Sequence, residues 1–343
     1  YNNYSNPQIN TMVRSMYGPG ALYPGGSELD AAADARLVLV FGASPAETGT
    51  GRATWHGAWD RVVEQVGERG GRIVMVDPRR NGSIPRRKGS SRETVSWLPI
   101  NPGTDGALAA ALLHELAFMH NALDWDFLRE RCVGFNDETL PEHQRGLGLS
   151  VMDYLRGTGY DHVAKTPAWA AAITGVPADD IRELAAQLAT ARPAFIMQGW
   201  GPQRRSNGEW TAWSIMALPC LVGQVGLAGT NNGCREARNS PTLQSLPAGT
   251  NPVKASISCF VWTDAIKHGP DMTAKNWGVK YVDKLNTGIK YMINYAGNCL
   301  TNQHGDINYA HDILADESLC EFILGIDIVM TDSLKYSDVI LPD

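Results

Sequence analysis

The sequence is poor in the patterns by which metal sites and hydrolytic centres are usually read. Its six cysteines, Cys132, Cys220, Cys234, Cys259, Cys299 and Cys320, lie far apart with no CxxC pair. Neither a zinc site nor an iron-sulfur cluster can therefore be read from their spacing. Most of them are expected to be buried thiols. The eight histidines form no HxxxH or HxH group, and only His304, beside Gln303, stands in a polar turn. There is no GxSxG elbow, no Walker sequence and no recognisable Ser, His and Asp set. No apolar stretch reaches the roughly 18 residues that a membrane-spanning helix needs. The richest run, Met216 to Gly229, is interrupted by Pro219, Gly223 and Gln224. Net charge is −6, and the cations are scattered apart from the short run Arg79, Arg80, Arg86, Arg87 and Lys88. That argues against a nucleic-acid partner and for a small anion. With no basic-then-apolar leader, Tyr1 at one end and a strand-like run before Asp343, the chain is expected to be a piece of a longer protein.

What is present describes a globular chain with a large core. Hydrophobic residues make up 43% and charged residues 19%, with 10 Trp and 35 Gly. At 343 residues the chain exceeds one usual domain, so two cores, or one core and part of another, are expected. Five apolar runs read as strands: Leu37 to Phe41, Arg72 to Val76, Ala194 to Met197, Ile289 to Tyr295 and Glu321 to Ile326. Continuous runs of this length suit strands buried on both faces of a parallel sheet. Between them come helical stripes. One carries Trp55, Trp59, Val62, Val63 and Val66 and stops at Gly67; Asp105 caps a second, with Leu108, Leu112, Leu113 and Leu116; Pro177 opens a third, with Ile181, Leu184, Ala185 and Leu188. Strand alternating with helix predicts an α/β fold. Segments 37–205 and 285–343 each read as such a sheet, separated by an irregular Gly-, Asn- and Pro-rich stretch from Gly226 to Pro252.

Each strand ends in a polar turn, and in open α/β sheets ligands bind outside the carboxyl ends of the strands. The first turn, Gly42-Ala43-Ser44-Pro45-Ala46-Glu47-Thr48-Gly49-Thr50-Gly51, offers amides and hydroxyls to a phosphate but is not GxGxxG, which argues against a nicotinamide site. Read alone, it is equally a tight turn that needs glycine for its conformation. Asp77, followed by Pro78 and Arg79, closes the second strand where a ribose-binding acid stands in doubly wound folds. Asp77 and Asp105 are both candidate readers of the guanine edge; as lone residues such acids are more often caps or turn acids. Pro102-Gly103-Thr104-Asp105 precedes the leucine-rich helix and can bring amides and a hydroxyl to its start. Gln198-Gly199-Trp200-Gly201-Pro202-Gln203-Arg204 puts an aromatic face, an amide and a guanidinium into one turn, which suits a flat, polar, phosphate-bearing ligand.

Taken in order, these segments resemble the dimethyl sulfoxide reductase branch of the molybdopterin oxidoreductases. The matching residues are Tyr4-Ser5 with Gln8-Ile9, Leu37 to Glu47, Val76-Asp77-Pro78-Arg79, Pro102 to Asp105, Gln198 to Arg204 and Asn207-Gly208-Glu209. They continue with Trp262 to Ala265, Asn294 to Asn298, Asn302-Gln303-His304 and Ser337 to Pro342, so the resemblance spans nearly the whole chain.

The resemblance implies two Rossmann-like parallel-sheet domains with helices on both faces, the second discontinuous in sequence: 26–209 inserted into a domain made of 1–25 and 210–343. It implies molybdenum bis(molybdopterin guanine dinucleotide), held by Gly42, Ala43, Ser44, Glu47 and Thr48; by Val76, Asp77, Pro78 and Arg79; and by Pro102, Gly103, Thr104 and Asp105. Gly199, Trp200, Gln203 and Arg204, with Gly297, Asn298, Ile326 and Asp327 from the second sheet, complete that set. Ser5 stands where this branch supplies a side-chain oxygen to molybdenum, a hard donor suited to a high-valent metal beside softer dithiolenes. The implied reaction removes oxygen from an S-oxide such as dimethyl sulfoxide in anaerobic respiration. An N-oxide reductase, a reductive dehydroxylase and a cofactor-free α/β assembly module are the alternatives. The cysteine cluster for a four-iron four-sulfur centre and the carboxyl-terminal β-barrel of the family have no counterpart here. An iron-sulfur electron-transfer subunit, a membrane anchor subunit and a periplasmic location follow for the parent protein by resemblance only.

Overall fold

The computed structural model describes residues 6–19, 21, 26–48, 57–85, 94–237, 247, 249–303 and 305–343. Ser5, Trp55, Arg86, Arg87, Lys88 and His304 lie outside these. Contacts divide the described residues into one unit within 3–242 and another within 243–343.

In the first unit the apolar runs become β1 (Leu37–Phe41), β2 (Arg72–Val76), β3 (Val95–Leu98) and β4 (Ala194–Gln198), all parallel, in the order β3-β2-β1-β4. Parallel neighbours need crossovers, and helices supply them. The longer helices are α1 (Pro7–Tyr17), α2 (Ala58–Glu68), α3 (Asp105–Phe118), α4 (Trp125–Arg131), α5 (Pro167–Thr174), α6 (Ala178–Thr190) and α7 (Gly208–Leu221), with shorter turns of helix at Pro45–Thr48 and Val151–Arg156. Alternation along each strand then feeds two cores. Leu37, Leu39, Phe41, Val74, Val76 and Ile196 pack with Leu108, Leu112, Leu116, Leu184, Leu188 and Leu218 of α3, α6 and α7. Val38, Val40, Ile73, Met75, Phe195 and Met197 pack on the other face with Trp59, Val62 and Val66 of α2. The sheet is buried on both sides, as continuous apolar strands require.

The sequence gives no sign of β3, because an edge strand reading Val-Ser-Trp-Leu, with Trp97 36% exposed, has no apolar run to announce it. Asp105 is the first residue inside α3 rather than its cap; Thr104 occupies the cap position and its hydroxyl bonds Asn101 O at 2.8 Å. The cysteines are more evenly spread than expected, with Cys220, Cys234 and Cys320 buried, Cys132 and Cys259 half-buried and Cys299 exposed.

The second unit holds β5 (Tyr291–Tyr295), β6 (Phe322–Asp327) and β7 (Val339–Pro342), parallel and in that order, with α8 (Trp262–His268) and α9 (Ile307–Leu314). Ile266, Ile313, Leu314 and Ile323 form its core. Here the expectation of strands buried on both faces fails for β5: Tyr291, Ile293 and Tyr295 are 54%, 58% and 63% exposed. Within this unit, α8 and α9 pack their buried residues against the sheet, while Tyr291, Ile293 and Tyr295 of β5 stay exposed.

Candidate functional site

The carboxyl ends of β1, β2 and β4 open on a cavity of about 250 Å³, lined among others by Gly42, Ala43, Ser44, Asp77, Trp200 and Arg204. Its floor depends on close backbone approach. A Cβ on Gly199 would lie 2.4 Å from Gly42 O, and Gly42 has φ +51° with Pro202 against it. Gly42 N donates to Val76 O at 2.9 Å and Gly199 N to Phe41 O at 2.8 Å, which ties the three strand ends together.

Asp77 is held by its own turn. One carboxylate oxygen accepts from Arg79 N at 2.8 Å and the other from Asn81 Nδ2 at 3.0 Å, while Asn81 also bonds Ala43 O and Ser83 N. A carboxylate offers about four lone-pair sites, so Asp77 keeps acceptor capacity toward the cavity. Ser44 and Ser83 hydroxyls meet at 3.1 Å, and Ser83 Oγ accepts from Ala46 N. Arg79 reaches Glu47 at 2.7 Å across the opening. A hydrogen bond from Ser44, with help from the Gly82 amide and Arg79, holds the Glu47 carboxyl below its ordinary range. Thr48 lines the same cavity, its hydroxyl bonded to Ser44 O.

On the β4 side, two guanidiniums flank the Trp200 ring, Arg235 at 4.6 Å from the centroid and Arg204 at 5.8 Å. Arg235 in turn meets Glu236 at 3.0 Å. The lining therefore holds three carboxylates, three guanidiniums and one aromatic face. Such a mixture suits a ligand that carries hydrogen-bonding edges, a flat ring and an anion.

Gln203 is turned inward and fully buried. It accepts from Ile9 N of α1 and donates to Trp200 O, so it braces the turn. Val76 and Pro78 flank Asp77 without lining the cavity. Gly103, with φ +77°, lies against the Arg205 guanidinium, and Pro102 and Thr104 complete that turn. Asp105 is 5% exposed. Burial pushes its carboxyl up to about 6, against a self-turn hydrogen bond and Arg205, with Asp77 adding a like charge. Sequence reasoning missed Asn81, Ser83, Arg235 and Glu236. Asn81, four residues beyond Asp77, was the one with a local signal, since Asn commonly closes such turns.

In the second unit the turn after β5 repeats the device seen after β1. Ala296 has φ +49° and donates to Ile326 O at 2.9 Å, as Gly42 does to Val76 O. Gly297 follows; its carbonyl accepts from Asn294. Asn298 Oδ1 accepts from Ser333 N and Oγ at 2.9 and 2.8 Å. Asp327 is the last residue of β6, where Asp77 directly follows β2, and accepts from Ile328 N at 2.7 Å.

The family model for molybdopterin oxidoreductases matches residues 2–343. The chain belongs to that family. It is 45% identical to the dimethyl sulfoxide reductase DmsA of Haemophilus influenzae over its whole length, which is 41% of that relative. It is 44% identical to DmsA of Escherichia coli, again over its whole length and 40% of the relative. Trimethylamine-N-oxide reductase 1 of Escherichia coli is 32% identical over 73% of this chain and 29% of its own. The chain thus spans about two fifths of the dimethyl sulfoxide reductases it matches. Among solved structures, acetylene hydratase from Pelobacter acetylenicus superposes with a TM-score of 0.55 at 18% identity, covering 99% of this chain and 44% of its own; this family likeness is one of fold.

Among the described residues no three His, Cys, Asp or Glu side chains gather as a metal site. No described helix is long and apolar enough to cross a membrane.

Proposed function

We propose that the chain is the central segment of the catalytic subunit of a molybdenum bis(molybdopterin guanine dinucleotide) reductase that removes oxygen from S-oxides. The observation that carries the proposal is the convergence of Gly42, Asp77 and Trp200 on one cavity at the carboxyl edge of a parallel sheet, in a chain 45% identical to a dimethyl sulfoxide reductase.

The residues fit the group. Gly42 and Gly199 let the turns after β1 and β4 close on each other, which shapes the cavity floor beside the Ser44 and Thr48 hydroxyls. Asp77, oriented by Asn81 and the Arg79 amide, can accept from a ribose or from the two-donor edge of guanine. Trp200 offers a stacking face with positive charge beside it. A cavity of about 250 Å³ admits one portion of a dinucleotide, not its length. When bound, the molybdenum-pterin group supplies oxygen-atom acceptance and two-electron exchange; the chain binds, orients and shields it. Gly297, Asn298, Ile326 and Asp327, around the equivalent strand-end turn, are proposed for the second dinucleotide, and Ser5 as the side-chain oxygen donor to the metal. The complete protein is proposed to join 1–25 with 210–343 around 26–209. It would work on the periplasmic side with iron-sulfur and anchor subunits.

The test uses the full-length protein. Molybdenum and guanine nucleotide are expected in stoichiometric amounts, with turnover of dimethyl sulfoxide, and Asp77→Ala is expected to lose most of the retained nucleotide. The relative that is 32% identical and named a trimethylamine-N-oxide reductase makes N-oxides the second substrate arm. Activity in a preparation free of molybdenum would end the proposal.

A further inference from the structure

The guanidiniums of Arg79, Arg204 and Arg235 all line the strand-end cavity, and they are not equivalent. Arg79 and Arg204 are exposed, so water and salt screen their charge. Arg235 is only 9% exposed, and its partner Glu236 only 5%. A buried ion pair seldom stabilises a fold, because desolvation of both charges offsets their attraction. Stability therefore does not account for this one. The segment that carries the pair is fastened to the open edge of β4, which the order β3-β2-β1-β4 leaves without a strand on one side. Gln224 Oε1 accepts from Ala194 N at 2.7 Å, Asn231 Nδ2 donates to Ile196 O at 2.9 Å, and Gln198 N donates to Cys234 O at 3.4 Å. Residues 194, 196 and 198 are the alternate positions whose backbone groups face one edge of a parallel strand. Arg235 comes directly after Cys234, so the sheet edge itself sets its place beside Trp200.

We infer that Arg235 binds a phosphate of the nucleotide in this cavity, and that Glu236 and Trp200 are the positioning residues that orient it. The guanidinium is aligned twice: its Nε donates to Glu236 Oε1 at 3.0 Å, and its Cζ stands 4.6 Å from the Trp200 ring centroid. A guanidinium recognises an anion as a planar fork, and holding that plane beforehand lowers the ordering cost of binding. The anion goes to Arg235 rather than to Arg79 or Arg204 because a charge-assisted hydrogen bond is worth more where water is excluded. The assignment rests on the reading that the cavity holds a guanine nucleotide.

The experiment titrates GDP and guanosine, which share a base and ribose and differ in phosphate, into the full-length protein prepared without its cofactor. Binding at this cavity is the part that Asp77→Ala removes. Arg235→Gln is expected to weaken GDP there by about 10-fold or more and to leave guanosine within about twofold. Arg235→Lys keeps the charge without the planar fork and is expected to lose part of the GDP affinity, again with guanosine unchanged. That variant decides the matter if Arg235→Gln does not fold. In the unaltered protein, added salt is expected to weaken GDP and not guanosine. Equal weakening of both ligands would make Arg235 a support for the ring alone, and unchanged GDP binding would place the phosphate elsewhere; either result overturns the inference and leaves the nucleotide reading standing. An unaltered protein that binds neither ligand would end both.

Discussion

The two sheets of this chain use the same strand-end device in different surroundings. After β1 the turn residue is Gly42, packed under Pro202 and against Gly199; after β5 it is Ala296, with nearly the same φ, in an exposed turn. β1 is buried along its whole length, whereas β5 leaves Tyr291, Ile293 and Tyr295 largely open. The lesson is that the backbone geometry at the ends of these parallel strands does not depend on how completely the sheet is covered. The energy that holds that geometry does, since packing on both faces is what makes a departure expensive.

Substitution of the close-approach glycines should separate the two regions most. Gly199→Val puts its Cβ within 2.4 Å of Gly42 O and 2.7 Å of Ala43 Cβ. It should cost about 3–5 kcal/mol in urea denaturation. Gly297→Ala meets Cys299 Sγ at 3.1 Å and Tyr295 O at 3.8 Å, and should cost less than about 1 kcal/mol. Equal losses would break the comparison.

Cavity formation should follow the same division. Phe195→Ala, in a fully buried strand, should cost about 3–5 kcal/mol, and Ile293→Ala, 58% exposed, less than about 1 kcal/mol. A large loss at Ile293 would mean that β5 is covered more fully than these contacts indicate.

The buried acid of the first region gives a pH signature. The Asp105 carboxyl is raised to about 6, whereas an unfolded chain has it near ~3.9. Between those values the folded state binds more protons, so stability should fall as pH rises from about 4 to about 6, by about 2–3 kcal/mol. Asp105→Asn should remove that slope and leave the protein more stable at neutral pH. An unchanged profile from denaturation at stepped pH would show that the carboxyl is better solvated than its 5% exposure implies.

The smallest effect concerns the turns themselves. Ala296 holds a left-handed backbone without glycine's freedom, so Ala296→Gly should stabilise by about 0.5–1 kcal/mol. Gly42→Ala should destabilise, with Pro202 Cδ only 2.5 Å from the new Cβ. Thermal midpoints that moved in the same direction would contradict this.

Much of the first sheet was legible. Leu37 to Phe41, Arg72 to Val76 and Ala194 to Met197 announced themselves because residues buried on both faces must be apolar in sequence. β3 did not, since an edge strand with Ser96 and a half-open Trp97 needs no such run. Ile289 to Tyr295 misled in the other direction: it reads as a largely apolar run interrupted by Lys290 and Asn294, yet Tyr291, Ile293 and Tyr295 are exposed. At the site, Asp77, Gly199 and Trp200 were visible as turn residues. Arg235 and Glu236 were not, because they enter from the irregular stretch after α7, where nothing local distinguishes them from other charged residues. Gln203 read as a ligand-facing amide and is instead fully buried as a brace, a choice set by where α1 packs.

The sequence by itself determined the α/β alternation, the strand-end turns, the left-handed freedom of Gly42 and the family, because those depend on local periodicity, local conformation and motif order. The tertiary structure alone decided the order β3-β2-β1-β4, the approach of Gly199 to Gly42 and the arrival of Arg235 beside Trp200. Each of these joins residues distant in the chain, and it is the burial of two sheet faces, not any local preference, that brings them together.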